Sequence, residues 1–468
     1  MSTRDQALYL NDKMPAGLFR GVGVDESRVA WRLSPEPFGL SPSTLAAIER
    51  LGPDLLAFYR VLASLYLRSA RRTAPAFIAD YLDHGKPDSI VRLGRQNRFK
   101  GDVPGVIRPD LILTDGGMVA SELDSVPGGM GFVGAMAEAY CSLGYDTVGT
   151  LDGMPAGLAA MFESLAGKPS PTTAIVVSEE SKDYRPELQW IAEAINTRKL
   201  GQAIVCKPED IVFTEEALFV RLEGGEERKI DVLYRNFEMF DLLNVPKQDL
   251  ILYAARHNRV RLTPPPKAHL EEKLAFGLLH HPLLAKIWQA ELGDAFGRLR
   301  AIFPETWVLD PRPLPPQAEI FGLKAAGQPV NDWLQLVPLG KSERDFVVKP
   351  SGFSELAWGS RGVKVANDLP KEEWQNVLES ALRSYDTTPY ILQRFHKGKR
   401  VRVPYYDTKS GDIAILDGRV RLCPYYFVVG DGVKLGGILA TIAPADKRLI
   451  HGMADAIMGP CNVRPDGY

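Results

Sequence analysis

Apolar residues recur at two different periods along the chain, and the changes of period mark out its elements. From Thr44 to Arg71, Leu, Ile, Phe and Tyr return at helical spacing behind Ser41–Ser43, which supply cap residues. A long helix is predicted there, and residues 1–100 are expected to be mostly helical scaffold. Its aromatic stripe of Phe58, Tyr59 and Tyr66 reads as core. The period then falls to two. The β-prone runs Ile107–Thr114 and Met118–Asp124 flank Asp115-Gly116-Gly117, whose glycines can take positive φ and close an antiparallel hairpin. With a three-residue loop, Arg108 faces Asp124 and Asp110 faces Glu122, all on one side of the hairpin. Ile107, Leu111, Leu113, Val119 and Leu123 take the other side, where a core would hold the register. The Pro-Gly-Gly-Met-Gly run that follows points to a backbone that bends sharply or approaches a ligand closely.

Further on, Val133–Leu143 reads as a helix. Thr172–Val177 is a buried strand followed by a polar turn and an amphipathic helix, and strands at Gln202–Cys206, Ala217–Leu222 and Ile230–Arg235 extend an α/β unit. Its carboxyl ends, the usual place for a ligand, would carry Ser178, Glu179, Glu180 and Asn236. Arg235 reads equally as an anion binder or as a surface partner of Glu238. Pro264-Pro265-Pro266 marks a boundary, and HLEEKLAFGLLHH opens a helix with Lys273 near its start. In RDFVVKPSGFSELAWGSRGVKVAN, Phe346–Lys349 is a strand, Val363–Ala366 its return, and Gly352, Gly359 and Gly362 punctuate the loop between them. Pro389–Phe395 is a strand whose edge offers backbone groups and Gln393 to an adenine. Strands at Val420–Val429 and Leu435–Thr441 close a sheet. Four regions result: 1–100, helical; 101–170, with the charged hairpin; 171–262, a smaller α/β domain; and 263–468.

Composition narrows the class. Hydrophobic residues at 45% and charged residues at 24% suit a globular protein, and a formal net charge of −2 gives no general attraction to nucleic acid or an anionic membrane. No apolar run reaches the roughly 18 residues of a membrane span. The N-terminus MSTRDQ lacks the parts of a signal peptide, so a cytoplasmic location is expected. Cys141, Cys206, Cys423 and Cys461 show no CxxC spacing and read as reduced structural thiols. A GxGxxG fingerprint is missing from the α/β unit, which argues against a dinucleotide.

The chemistry concentrates on the hairpin. Asp110 and Glu122 would be like-charged neighbours across two strands, an arrangement that asks for a cation unless the face is a solvated one with ordinary Arg–carboxylate pairs. Three carboxylates on a rigid hairpin suit Mg²⁺, which completes its shell with water and phosphate. Arg108, with its planar fork of donors, suits a phosphoryl group beside the metal. The glycine-rich segment with Lys349 and Ser351 at its entry could cover polyphosphate through backbone N–H groups and one ammonium, or be a plain surface hairpin.

Arg-x-Asp, twelve residues to a Glu, then Glu-x-acid resembles the magnesium hairpin of the glutathionylspermidine synthase family, the circularly permuted ATP-grasp enzymes. The order of motifs resembles that group too, because the metal hairpin precedes VVKPSGFSELAWGSRG by more than two hundred residues. The resemblance implies an α/β (α+β) fold in which antiparallel sheets clasp ATP, with the 171–262 unit on the substrate side. It implies that Asp110, Glu122 and Asp124 hold Mg²⁺ and that Arg108 contacts the transferred phosphoryl group. Lys273 and Lys349 match the two nucleotide lysines, Gln393 the adenine hinge, and Ser351, Gly352, Gly359 and Gly362 the phosphate-covering segment. Three features depart from the pattern. Asp124 stands where the family has Asn, GGILATIAP lacks the family's Arg with Arg421 as its candidate substitute, and the amine-binding acids cannot be located. The basic run HKGKRVRV reads as a solvated strand face, with Arg400 or Arg402 as further phosphate candidates. The activity implied is an ATP-dependent carboxylate–amine ligase acting on small molecules, an acid with an amino acid, peptide or polyamine. The alternative is an ATP-binding module without catalysis, serving regulation or scaffolding. A kinase that stops at a phosphorylated product is a weaker rival. Nucleic-acid and membrane partners are not expected, and the sequence leaves the oligomeric state open.

Overall fold

The computed structural model describes residues 1–14, 18, 31–124, 126–315, 317–407, 409–450 and 455–468. Its helices are α1 (Thr3–Lys13), α2 (Pro42–Ala70), α3 (Phe77–Asp83), α4 (Asp88–Gly94), α5 (Met130–Ser142), α6 (Gly153–Ala166), α7 (Arg185–Thr197), α8 (Gln248–Arg256), α9 (Leu274–His280), α10 (Ala285–Leu292), α11 (Asp294–Ile302) and α12 (Lys371–Arg383). Ser41 caps α2 by accepting the Thr44 N–H at 3.2 Å, and Pro42 opens its first turn, where the missing N–H costs no helical bond. Among the described residues no helix is long and apolar enough to cross a membrane.

The main sheet has seven strands: β1 (Phe38–Leu40), β2 (Val106–Thr114), β3 (Gly117–Asp124), β17 (Arg400–Asp407), β18 (Asp412–Val429), β19 (Gly432–Pro444) and β20 (Ile457–Val463). They run in the order β1-β20-β19-β18-β2-β3, with β17 also paired to β18. β2 and β18 show their two faces to different cores. Ile107, Leu111, Val420 and Leu422 pack with α2 and α9, whereas Val106, Cys423, Tyr425 and Phe427 pack with α5, α6 and α7. The hairpin lies at an edge of this sheet, with Asp110 buried and Arg108, Glu122 and Asp124 half-buried.

The smaller α/β unit is a parallel sheet, β10-β9-β4-β5, of β4 (Thr172–Val177), β5 (Gln202–Cys206), β9 (Val232–Asn236) and β10 (Arg261–Thr263). Its strands are apolar on both faces because one face meets α5 and α7 while the other meets α8. The predicted strand Ala217–Leu222 does not extend this sheet. As β7 (Leu218–Arg221) it pairs antiparallel between β6 (Ile211–Phe213) and β8 (Glu227–Lys229), since short connections favour local hairpins.

A third sheet, β11-β16-β14-β15, joins β11 (Thr306–Val308), β14 (Phe346–Pro350), β15 (Lys364–Val365) and β16 (Tyr390–Arg394) over α12. A two-stranded ribbon of β12 (Lys324–Ala325) and β13 (Gln328–Pro329) lies outside it. Here one expectation is overturned. β16 is internal, paired to β11 through Thr306↔Gln393 and to β14 through Val347↔Gln393, so it has no free edge to offer an adenine.

Candidate active site

Arg108 pairs with Asp124 and Asp110 with Glu122 across the hairpin, the register read from the apolar alternation. The loop is one residue shorter than predicted. Thr114 faces Gly117 around Asp115-Gly116, and the difference is absorbed by a bulge next to Asp110, where Leu111 pairs with Ala120. Ser121 is the extra residue. Beyond the bulge the faces exchange, so Ala120 and Met118, not Val119, turn toward the α2 core. The bulge also frees the Ser121 carbonyl for contact with another sheet.

Each hairpin carboxylate already has a protein cation. Asp110, only 5% exposed, accepts from Arg421 at 2.7 Å, lies 3.4 Å from Arg108 and receives the Cys423 thiol at 3.3 Å. Burial would push its carboxyl up, but Arg421 and Arg108 outweigh that and hold it below the usual range. Arg108 donates to Asp124 at 2.7 Å. Burial dominates at Asp124 and raises it in spite of Arg108, with Glu122 adding to the rise. Lys273, directly before α9, reaches Glu122 at 2.8 Å. The like-charge pair predicted to need a metal is thus relieved by separate partners, Arg421 for Asp110 and Lys273 for Glu122. Arg421 sits on β18 beside β2, and no local sequence pattern announced that contact.

The nucleotide candidates come to the same place from the third sheet. Lys349, on β14, donates to the Ser121 carbonyl at 2.7 Å and to Gln393 Oε1 at 2.9 Å, and Gln393 donates onward to Thr306 Oγ1 at 3.2 Å. Burial pushes the Lys349 ammonium down to about 8, with Lys273 adding to the fall and Glu122 opposing it. The glycine-rich segment is anchored at its entry. Ser351 Oγ and the Gly352 N–H both donate to Glu272, at 2.6 and 3.0 Å, and Lys86 completes the group at 2.6 Å. Gly352 lies so close to Glu271 that any Cβ would strike its carbonyl. Gly359 falls in a 3-10 helix, Glu355–Ser360, and Gly362 packs on Pro350. Arg400 is an exposed partner of Asp417, and Arg402 is exposed as well.

Next to the smaller α/β unit, the Pro-Gly-Gly-Met-Gly run lies tight against the start of α7. A Cβ at Gly128 would enter the Tyr184 ring and one at Gly131 would overlap the Glu187 carbonyl. Glu187, fully buried, uses its carboxylate to accept the N–H groups of Gly129, Gly131 and Phe132 at 2.5, 3.0 and 3.2 Å, which ties α7 to the start of α5. Burial lifts it to about 7 against those bonds. Arg235 fits neither of its expected roles. It is 1% exposed, donates to the carbonyls of Phe237, Pro264 and Pro265, and pairs with Glu271 instead of Glu238. An arginine so committed is structural.

Among the described residues no three His, Cys, Asp or Glu side chains are grouped as a metal ion would need. Asp110 has both oxygens engaged. So has Asp124, which accepts from Arg108 and from the Val126 N–H at 2.9 Å, while Glu122, 34% exposed, pairs with Lys273. A cavity of about 980 Å³ opens at the free edge of β11, lined by Tyr81, His281, Thr306, Trp307, Arg312 and Phe321 among others. It meets the hairpin network only through Thr306.

No protein-family model matches the sequence, and no curated protein matches it. Solved structures are similar in shape. A protein from Methylobacillus flagellatus KT, described as a proposed gamma-glutamylcysteine synthetase, shares 11% identity over 85% of each chain at a TM-score of 0.40. A glutathione synthetase-like effector from Globodera pallida, in its apo form, shares 11% identity over 98% of this chain and 97% of that one, with a TM-score of 0.59. The second likeness runs nearly end to end in both chains, and on it this chain has a mixed α/β fold of the glutathione synthetase-like kind.

Proposed function

We propose that the protein is an ATP-dependent carboxylate–amine ligase of permuted ATP-grasp build. One observation carries the reading: Lys273 and Lys349, far apart in sequence from the hairpin and from each other, both meet it, at Glu122 and at the Ser121 carbonyl. Four cationic side chains, Arg108, Arg421, Lys273 and Lys349, thus gather around three carboxylates, an arrangement suited to a polyphosphate with its metal. Glu122 and Asp124 would hold Mg²⁺, which supplies charge neutralisation on the phosphates. In exchange, Lys273 and Arg108 would turn from these carboxylates to phosphate oxygens.

The substrate carboxylate attacks the γ-phosphorus, ADP leaves, and an acyl phosphate forms. An amine then attacks the acyl carbon, the C–O bond to phosphate breaks, and an amide and phosphate result. Arg108 steadies the transferred group in its flight. Asp110 serves this arrangement from behind, fixing the forks of Arg108 and Arg421. A protein nucleophile is not needed. Incubation with ATP, Mg²⁺, hydroxylamine and a panel of amino acids and short peptides should yield hydroxamate and ADP. ATP consumption without hydroxamate across the panel would sink the ligase reading in favour of a kinase.

The second reading, a nucleotide-binding module without turnover, is favoured by the internal pairing of every hairpin carboxylate. It predicts Mg²⁺·ATP binding with no ADP.

A further inference from the structure

A buried ion pair lies behind the nucleotide candidates, and one of its members comes from the helical region read as scaffold. Lys86 and Glu272 meet at 2.6 Å with side chains 1% and 0% exposed. Taking both ions out of water is costly, so stability alone is a poor reason for such a pair. Its geometry supplies another. One Glu272 oxygen accepts from Lys86 and from the Ser351 hydroxyl, both at 2.6 Å, and the other accepts the Gly352 N–H at 3.0 Å. Ser351 Oγ in turn receives the Phe353 N–H at 3.1 Å. Burial would push the Glu272 carboxyl up, but Lys86, Ser351 and Gly352 together outweigh it and hold the group below the usual range.

Position in the chain gives the pair its reach. Glu272 directly precedes Lys273, and Ser351 lies two residues after Lys349, so one carboxylate fixes the backbone beside both lysines that meet the hairpin. Lys86 belongs to the turn between α3 and α4, and that turn is seated against the unit of the third sheet. His84 packs on the Tyr385 ring with centroids 4.1 Å apart, and the Lys86 ammonium stands 5.7 Å from the centre of the Phe353 ring. Between them Gly85, at φ +72°, comes so close that a Cβ would lie 2.6 Å from the Thr387 carbonyl oxygen.

We infer that Lys86 and Glu272 are positioning residues, which set Lys273, Lys349 and the entry of the glycine-rich segment as one unit for phosphate. Lys86 supplies the countercharge that keeps Glu272 ionised in a dry place. Glu272 spends its oxygens on the first donors of the segment, and neither side chain touches the nucleotide. What the two lysines bind is taken from the ATP-grasp reading; how they are held is added to it. Contacts prepared in this way need less ordering when the ligand arrives, and losing the preparation weakens binding.

Calorimetry with Mg²⁺·ATP and hydrogen exchange, both on the full chain, test the assignment. Lys86→Met alone strands a buried charge, so it is combined with Glu272→Met, which removes the pair whole and fills its place with apolar groups. The double variant should keep its fold, exchange the Gly352 amide at least about tenfold faster and bind Mg²⁺·ATP at least about tenfold more weakly. In turnover the KM for ATP should rise more than kcat falls, which a loss of stability by itself would not produce. In a Lys349→Ala background the same double change should weaken binding by a smaller factor, since one lysine that it positions is already gone. Ser351→Ala leaves the ion pair intact and should show faster Gly352 exchange in smaller measure, so the matter is decided even where the double variant fails to fold. Unchanged Gly352 exchange in either variant, unchanged Mg²⁺·ATP affinity in the double variant, or an equal loss in the Lys349→Ala background would overturn the assignment. A wild type that does not bind Mg²⁺·ATP fails the ATP-grasp reading by itself, while the Gly352 exchange rates still decide whether the pair holds the segment.

Discussion

At the scale of single residues, the two lysines at the hairpin differ in what burial does to them. Lys273 is held above its ordinary range: burial lowers it, but Glu122 outweighs that. Its share of stability is present below the ordinary lysine range and lost only as pH rises through its higher folded value. Glu122→Gln should therefore destabilise the nucleotide-free protein by about 1–2 kcal/mol, at the upper end for a pair of which one member is nearly buried. Urea unfolding measures it, and a variant as stable as the wild type would show that the pair contributes nothing. Lys349 has no carboxylate partner and sits near 8. Between about 8 and the ordinary 10.5 the unfolded chain binds a proton that the folded one has released, so this group adds stability as pH rises through that window. Function moves the other way, because phosphate needs the ammonium. ATP affinity should fall as pH climbs through 8, and Lys349→Arg, charged at every accessible pH, should abolish that fall. Titrations at pH 7 and 9 decide the point.

Elements are held together by polar contacts that no single element predicts. The bulge at Ser121 exchanges the faces of β3 and directs a carbonyl to Lys349. Glu187, from α7, satisfies three N–H groups at the start of α5, where a helix leaves its first donors unpaired. Its folded value near 7 lies above the ordinary 4.5, so between these two pH values the folded state keeps a proton that the unfolded state has lost. The contribution of this group to stability should accordingly decline as pH rises from about 4.5 to 7. Glu187→Gln should remove that slope. It should also cost roughly 1–3 kcal/mol, because an amide NH₂ then faces a backbone donor. Chemical denaturation at pH 5 and 7 supplies both numbers.

At the scale of the molecule, the candidate site exists only where two sheets meet. The hairpin belongs to the main sheet, and Lys349 and Gln393 to the third. Bonds such as Lys349 to Ser121, 228 residues apart, bind these bodies together without nucleotide. Mg²⁺·ATP should replace them with bonds to phosphate and stabilise the whole fold by about 2.7 kcal/mol at a hundredfold excess over Kd. The melting temperature should rise with ATP concentration, and Lys349→Ala should shrink the rise. An equal shift in that variant would remove Lys349 from the site.

The local content of the chain was legible because period and spacing act over a few residues. The α2 helix with its Ser41 cap, the register of Arg108 with Asp124, the parallel run Thr172–Val177 and the position of Lys273 before a helix all follow from side-chain alternation and backbone preference. The bulge was not legible, since a two-residue and a three-residue loop around Gly116 satisfy the same alternation near Asp110. Nor was the neutralisation of the hairpin, which depends on Arg421 and Lys273 arriving from strands and helices more than a hundred residues away. Whether β16 is an edge and whether Arg235 is exposed are questions about neighbours. Long-range packing answers them, and no window of sequence contains it.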